Sequence, residues 1–432
     1  MTLVKVTRIP LICNVRDKDG KEVNYKDVFT LLWELQKETR RIKNKAIQLL
    51  WEWNGFSSDY KKKFDEYPDC LEHLGYKQTS GYLYDRLKSE NVMNSGNFTC
   101  TLDCARNQFE SSLKEYMRGD RSIIEYKSNQ PLELHNKSIR VSKTDKEYLF
   151  DISLFSREFA KSKNLPTTLS FRGVVKDKSA RDILDRCIGG VYKIGGSRLV
   201  YDKKKNWCLN LAYNFEACKQ TLDKDKILGI DLGVQKPFVA SVLGDRGRLS
   251  AEGGRESEIE VFRRKIEARR KSLRKQSKMS ADGRKGHGYK TRTLSANSLE
   301  NKISQFRDTV NHKYSRAIVD YAIKNGCGTI QMEKLSGITQ GEKPRYLKNW
   351  SYFDLQSKIE NKAKENGIKV VYVEPRFTSQ RCSKCGFIHE KNRPEQSKFI
   401  CQSCGYEVNA DFNASQNIAT KNIEKLIKEA VK

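Results

Sequence analysis

Four cysteines near the C-terminus fall into two Cys-x2-Cys pairs, Cys382/Cys385 and Cys401/Cys404, with 15 residues between the pairs. That spacing lets two knuckles bring four thiolates around one tetrahedral Zn²⁺. Gly386 and Gly405 follow the pairs directly, and glycine permits the tight, positive-φ turns that aim backbone amides at the sulfurs. Four unrelated thiols would need neither the spacing nor the glycines. The second kind of chemistry is carboxylate. Asp231 ends the apolar run from Ile227, Glu333 ends Thr329-Ile330-Gln331-Met332-Glu333, and Asp411 stands in Asn409-Ala410-Asp411. One acid at a strand end is an ordinary turn residue. Three acids brought together repel one another unless divalent cations bind them. Two Mg²⁺ ions about 3.5–4 Å apart on such a set activate a water and stabilise the leaving oxygen of a phosphodiester. The pattern points to a metal-dependent nuclease.

The elements that position these acids are an α/β series. Strands are expected at 226–232, 237–243, 329–335 and 369–374, separated by helices. The longest helix is expected near 299–325, with Leu299, Ile303, Phe306, Val310, Ile318, Tyr321 and Ala322 as its apolar stripe and Gly326 at its end. Asp411 opens a final helical pattern through Ala414, Ile418, Ile423, Leu426 and Ile427. Upstream, residues 121–225 read as short strands, best at 148–155, 169–175, 191–194, 198–201 and 207–213, with one helix over Ile183, Leu184, Cys187 and Ile188. A small barrel fits, joined by an opening strand at 2–15. Between them lies a mostly helical region. Its long helix carries an apolar stripe over Val28, Leu31, Leu32, Leu35, Ile42, Ala46, Leu49, Leu50 and Trp53, and a basic face with Lys37, Arg40, Arg41, Lys43 and Lys45.

Composition fixes the class of partner. The 432 residues, enough for about two to four domains, carry 82 Lys and Arg against 54 Asp and Glu, a net charge of +28. Such an excess suits a polyanion, because counterion release then supplies much of the affinity. The expected nucleic-acid contacts are Arg40 and Arg41, the hairpin tip Lys203-Lys204-Lys205, and the run containing Arg263, Arg264, Arg269 and Arg270, which leads into a Gly-rich stretch at 282–288. Mean hydropathy is −0.73 and no long apolar run appears, so no membrane span is expected. Lys5, Arg8, Arg16 and Lys18 interrupt any signal-peptide core. Twelve cysteines, irregularly spaced outside the knuckles, suit a reducing cytoplasm. Cys70-x2-His73 with Cys100-x3-Cys104 has ligand types for a second zinc, although two small residues one helical turn apart also suit ordinary packing.

An Asp on the first strand, a Glu on a later strand and an Asp opening the last helix, with a zinc ribbon before that helix, resemble the RuvC nuclease of type V CRISPR effectors and their transposon-encoded TnpB relatives. The segments Thr378-Ser379-Gln380-Arg381-Cys382-Ser383-Lys384-Cys385-Gly386, Asn392-Arg393, Phe399-Ile400-Cys401-Gln402-Ser403-Cys404-Gly405-Tyr406 and Asn409-Ala410-Asp411-Phe412-Asn413-Ala414 carry this resemblance. In the N-terminal half, Gln36 to Arg40, Trp51 to Tyr60 and Leu87 to Tyr116 resemble the miniature V-F effectors, the Cas-twelve-f group. The resemblance implies a multidomain α+β chain. A β-barrel wedge domain (1–20 and 121–225) would hold an inserted helical recognition domain (21–120). An RNase H-like α/β RuvC nuclease (226–380 and 408–432) would hold an inserted zinc-ribbon target-nucleic-acid-binding domain (381–407). It further implies a guide RNA (crRNA with tracrRNA, or a single guide), target double-stranded DNA beside a short recognised motif, cleavage of both strands by one two-Mg²⁺ site, and trans cleavage of single-stranded DNA. Asp231, Glu333 and Asp411 match the family's metal-binding acids, Arg393 matches an arginine placed near them, and Cys382, Cys385, Cys401 and Cys404 match its structural zinc site. A homodimer on one guide is also implied, with the stripe of residues 28–53 and Trp51, Trp53 and Phe56 as a candidate interface. A TnpB-type transposon nuclease, a nuclease-silent RNA-guided binder and a non-catalytic zinc-ribbon nucleic-acid-binding protein remain alternatives. The silent binder requires a lost acid, and none is missing; the zinc-ribbon protein has no need of the three acids together.

Overall fold

The computed structural model describes residues 2–13, 24–145, 147–202, 206–218, 220–233, 236–253, 256–279, 289–334 and 352–431. They form two compact units, Met1–Glu216 and Ala217–Lys432.

The first unit opens with strand β1 (Thr2–Cys13). Helices α1 (Tyr25–Phe64), α2 (Cys70–Leu74), α3 (Thr79–Leu87) and α4 (Ser95–Arg118) follow. Asn24 and Asn94 cap α1 and α4 by accepting the amides of Lys26 and Gly96, and Gly119, at φ 77°, ends α4. The chain then supplies β2 (Leu132–Leu134), β3 (Ile139–Lys143), β4 (Tyr148–Ser153), α5 (Arg157–Ser162), β5 (Thr168–Gly173), α6 (Lys178–Ile188), β6 (Lys193–Ile194), β7 (Ser197–Tyr201) and β8 (Trp207–Glu216). The strands make an eight-stranded antiparallel sheet in the order β2-β7-β8-β1-β5-β4-β3, with β6 on β8. β1 pairs with β8 through its first nine residues and with β5 through its last three. Among the described residues the ladder ends at β2 and β3, which the single turn Asn136–Ser138 joins in sequence, so the strands expected of a barrel form one sheet without a hydrogen-bonded closure.

One core serves sheet and helices alike. Val28, Leu32, Leu35, Ile42 and Leu50 of α1 are buried in the same cluster as Ile9, Phe150, Phe171 and Trp207. The apolar stripe of α1 is thus internal packing through Leu50, and the exposed aromatics lie off it, at Trp33, Trp51, Phe56 and Phe64, and at Tyr67 just after the helix. Lys43, expected on the basic face, is buried instead. Its Nζ lies 3.0 Å from Glu133 Oε1, and Glu133 also accepts from Arg198 Nε at 2.8 Å, the pairing a buried ammonium requires.

The second unit contains β9 (Asp223–Asp231), β10 (Val239–Val242), β11 (Arg248–Ser250), α7 (Glu258–Met279), α8 (Tyr289–Asn297), α9 (Lys302–Lys324), β12 (Cys327–Glu333), α10 (Tyr352–Glu365), β13 (Lys369–Val373), β14 (Lys398–Ile400), β15 (Glu407–Asn409), α11 (Ala410–Ile418) and α12 (Ile423–Val431). The sheet order is β11-β10-β9-β12-β13. β10 runs antiparallel to both its neighbours, whereas β9, β12 and β13 are mutually parallel. Parallel strands need covered faces. Residues 227–230 of β9 are accordingly buried, and α9 and α10 pack with the sheet through Val310, Tyr314, Ile318, Ala322, Leu355 and Ile359. Among the described residues, no helix is long and apolar enough to cross a membrane.

Candidate active site and metal centre

Parallel pairing brings two of the acids together. In the β9/β12 register Met332 lies opposite Ile230, so the next residues, Asp231 and Glu333, leave neighbouring strands at the same level. Adjacent strands stand only about 4.8 Å apart. The third acid arrives on α11. Asn409 caps that helix by accepting the Phe412 amide at 3.1 Å, which puts Asp411 in the first turn. Every residue of α11 is buried except Asp411.

The helix reaches this depth because Gly229 has no side chain. A Cβ there would sit 2.2 Å from Ser415 O and 2.3 Å from Ala419 N. Strand and helix backbones are therefore in direct contact. Polar side chains fasten the rest of α11: the Ser415 and Ser241 hydroxyls are 2.6 Å apart, and Gln416 Nε2 donates to Val242 O at 2.8 Å.

The carboxylates feel one another. Burial pushes the Asp231 carboxyl well above its ordinary range, Glu333 and Asp411 raise it further, and Arg393 acts in the opposite sense. Burial also raises Glu333, against the hydrogen bond of Thr378, whose Oγ1 lies 2.6 Å from Glu333 Oε1. Arg393 Nη2 is 3.2 Å from Asp411 Oδ1 and 2.6 Å from Gln396 O. This is a partly buried set of three acids with one guanidinium, short of positive charge. Its oxygens suit hard divalent cations that keep part of their water. The carboxylates are more widely spaced than the thiols, since among the described residues only the four cysteines bring three or more ligand atoms within 4.8 Å of one another.

The thiol cluster fits zinc in detail. Cys382 and Cys404 Sγ are 3.8 Å apart, and Cys385 and Cys401 Sγ 3.5 Å. A tetrahedron with Zn–S near 2.3 Å has edges of about 3.8 Å. Both knuckles close alike, Gly386 N on Cys382 O at 2.9 Å and Gly405 N on Cys401 O at 3.0 Å, with φ of 82° and 68°. By contrast, Cys70, His73, Cys100 and Cys104 form no ligand cluster. His73 packs on Phe56 and Tyr60, and Cys104 Sγ lies 3.6 Å from Lys43 Nζ.

The expected nucleic-acid contacts divide. Arg40 is exposed on α1, while Arg41 is tied to Glu38 at 2.6 Å and to Glu90. On α7, Arg263 is largely covered and held by Glu260 and Glu267. Arg264 and Arg269 are exposed. Arg270 joins Lys271, Arg274, Lys275 and Lys278, with Glu267, along a groove of about 550 Å³. Residues 203–205 and 282–288 lie outside the described residues.

Sequence reading missed the polar links between the cysteine module and α11. Asn413 donates to Arg381 O at 2.8 Å and accepts from Ser383 N at 3.0 Å. Asn417 donates to Thr378 O at 2.9 Å and to Arg381 O at 2.6 Å, and accepts from Arg381 Nη1 at 2.8 Å. Their signal is visible: Asn409, Asn413 and Asn417 recur every four residues, on one helical face.

The chain is similar to known proteins. A family model described as the Cas12f1-like TNB domain matches residues 352–418. A CRISPR-associated endodeoxyribonuclease Cas12f1 of Sulfoacidibacillus thermotolerans is 45% identical over 414 residues, 95% of this chain and 97% of that protein. One from Syntrophomonas palmitatica is 38% identical over 362 residues, 75% of this chain and 72% of its own. Among solved structures, the protein of a Cas12f1–sgRNA–target DNA complex superposes with a TM-score of 0.69 at 20% identity, over 97% of this chain and 99% of that one, a likeness of fold.

Proposed function

This chain belongs to the Cas12f1 family of CRISPR-associated endodeoxyribonucleases, and we propose that it is a guide-RNA-directed, Mg²⁺-dependent nuclease that cuts both strands of target DNA. In this reading the first unit comprises a wedge barrel with an inserted recognition helical region, and the second an RNase H-like RuvC nuclease with an inserted zinc ribbon. The observation that carries the proposal is the pairing of Asp231 and Glu333 at the ends of parallel strands, with Asp411 and Arg393 coupled to them electrostatically. A full-length match to Cas12f1 favours a CRISPR effector over a TnpB-type transposon nuclease.

Asp231, Glu333 and Asp411 would hold the cations through carboxylate oxygens. When bound, Mg²⁺ supplies a water of lowered pKa and positive charge for the leaving oxygen. The chain's own groups orient that site. Arg393, fixed by Gln396 O, directs a guanidinium beside Asp411 where a phosphate can accept from it. The cysteine module, stabilised by one Zn²⁺, holds Arg393. Cations along α7 bind phosphates without reading sequence, and base pairing with the guide selects the target.

The test is plasmid cleavage in Mg²⁺ with sequencing of co-purified RNA. Asp231→Ala, Glu333→Ala and Asp411→Ala should each abolish cutting and leave guide and target binding nearly unchanged, because affinity resides in the basic surfaces. Substantial cutting by Asp231→Ala would sink the assignment. We further propose two copies per guide, meeting through the exposed aromatics Trp51, Phe56, Phe64 and Tyr67 rather than through the buried stripe of α1. Light scattering decides: a mass of two proteins and one RNA supports the dimer, and a mass of one and one refutes it.

A further inference from the structure

The turn that leads from β13 into the cysteine module touches the proposed catalytic carboxylate directly. Thr378 is 1% exposed. Its hydroxyl lies 2.6 Å from Glu333 Oε1 and 2.9 Å from Pro375 O. A hydroxyl with one proton between a carboxylate and a carbonyl can donate to the carboxylate, occupying Oε1 and leaving Oε2 to face a cation. The main chain of Glu333 is fixed separately, since Gln356 Nε2 donates to Glu333 O at 2.8 Å.

The turn itself is built under strain. Phe377, immediately before Thr378, has φ of 64°, a conformation costly for a bulky residue and concentrated at sites where geometry matters. Two amides close on it, Gln380 N at 3.1 Å and Arg381 N at 3.0 Å from Phe377 O. Phe377 packs against the cluster formed by Val373, Ile418, Ile423 and Ile427. From the other side Asn417, on the helix that carries Asp411, donates to Thr378 O at 2.9 Å. One short polar path thus runs from Glu333 through Thr378, in the turn that precedes the cysteine module, and Asn417 to the helix of Asp411.

We propose that Thr378 is a positioning residue for the cleavage reaction. It fixes the rotamer of Glu333 and ties it to α11, so that the two acids keep one spacing for divalent cations. Groups that hold metal-binding side chains by hydrogen bonds typically contribute 10- to 100-fold in metal affinity. The inference rests on the nuclease reading above.

The test compares Thr378→Val, Thr378→Ala and Thr378→Ser with the wild type. Mn²⁺ binding to the full chain is followed by loss of the free-ion electron paramagnetic resonance signal, with Asp231→Ala as the blank, and target cleavage is titrated with Mg²⁺ in the guide complex. The Val and Ala variants should need roughly 10- to 100-fold more Mn²⁺ and Mg²⁺ for half-saturation. Ser restores the hydroxyl and should stay within about threefold of wild type by the same reasoning. Zinc content and thermal midpoint identify any variant that has lost its fold, and the Ala variant serves if Val does not fit. Wild-type affinity in the folded Val or Ala variant would overturn this role alone. A wild type that binds no more Mn²⁺ than Asp231→Ala would overturn the nuclease reading, and this role with it.

Discussion

Gly229→Ala adds one methyl group at the point where β9 and α11 touch. The new Cβ would lie 2.2 Å from Ser415 O, 2.3 Å from Ala419 N and 2.8 Å from Ala419 Cα. All three are backbone atoms, so no rotamer change relieves the overlap. Ordinary contact begins near 3.4 Å, and the helix must therefore retreat by about 1 Å. Overpacking of this kind costs about 1–3 kcal/mol, to which loosening of the Ser241–Ser415 pair at 2.6 Å adds. The functional effect should be larger than the loss of stability suggests. Asp411 lies one turn before Ser415 on the same helix, and a misplacement of about 1 Å at a reacting centre lowers rate by about 100-fold. The assay is single-turnover plasmid cleavage with saturating guide complex, beside thermal melting and zinc content. Guide and target binding should survive. Cleavage within about threefold of wild type, with an unchanged melting midpoint, would refute the argument that the Gly229 contact sets the depth of Asp411.

Cys401→Ser should lower bound zinc and expose residues 381–407 to protease, because a structural site contributes its binding energy to folding; cleavage should fall too, since Arg393 is carried by that module. A wild type without zinc by metal analysis contradicts the assignment. Asp231 supplies a pH dependence. Its folded pKa stands above the ordinary 3.8, so between those values the folded chain holds a proton that the unfolded chain releases. Stability from this group is full below 3.8 and is lost as pH rises through the raised value. Mg²⁺ offsets the ionised form, so it should raise the melting midpoint more at about pH 8 than at about pH 5, and the difference should shrink in Asp231→Asn. Equal increments at both pH values would remove the electrostatic argument.

What the sequence made legible follows from how local each signal is. The cysteines are recognisable because a tetrahedral site built from two tight knuckles demands fixed spacing and glycine. Asp231 and Glu333 are recognisable because each ends an apolar run, and parallel pairing brings strand ends to one side of a sheet. The stripe of α1 was equally visible, yet periodicity alone does not say which surface covers it; the sheet residues Ile9, Phe150 and Trp207 do. Lys43 was misread for the same reason, since its partner Glu133 lies 90 residues away. The α7 cations read as one run, and the run does not show that Arg263 is held by Glu260 and Glu267 while Arg264 and Arg269 stay exposed. Thr378 carries no local signal, because it is an ordinary polar residue until its partner is known, and the four-residue recurrence that marks Asn417 does not say what its side chain binds. Asn417 shows what that partner changes: a fully buried amide in a short helix is costly unless all its hydrogen bonds are made, and here Thr378 O, Arg381 O and Arg381 Nη1 satisfy them. One side of α11 is therefore fastened to the segment around Arg381 that opens the cysteine module, while Ser415 and Gln416 fasten it to β10, so Asp411 is held from both sides.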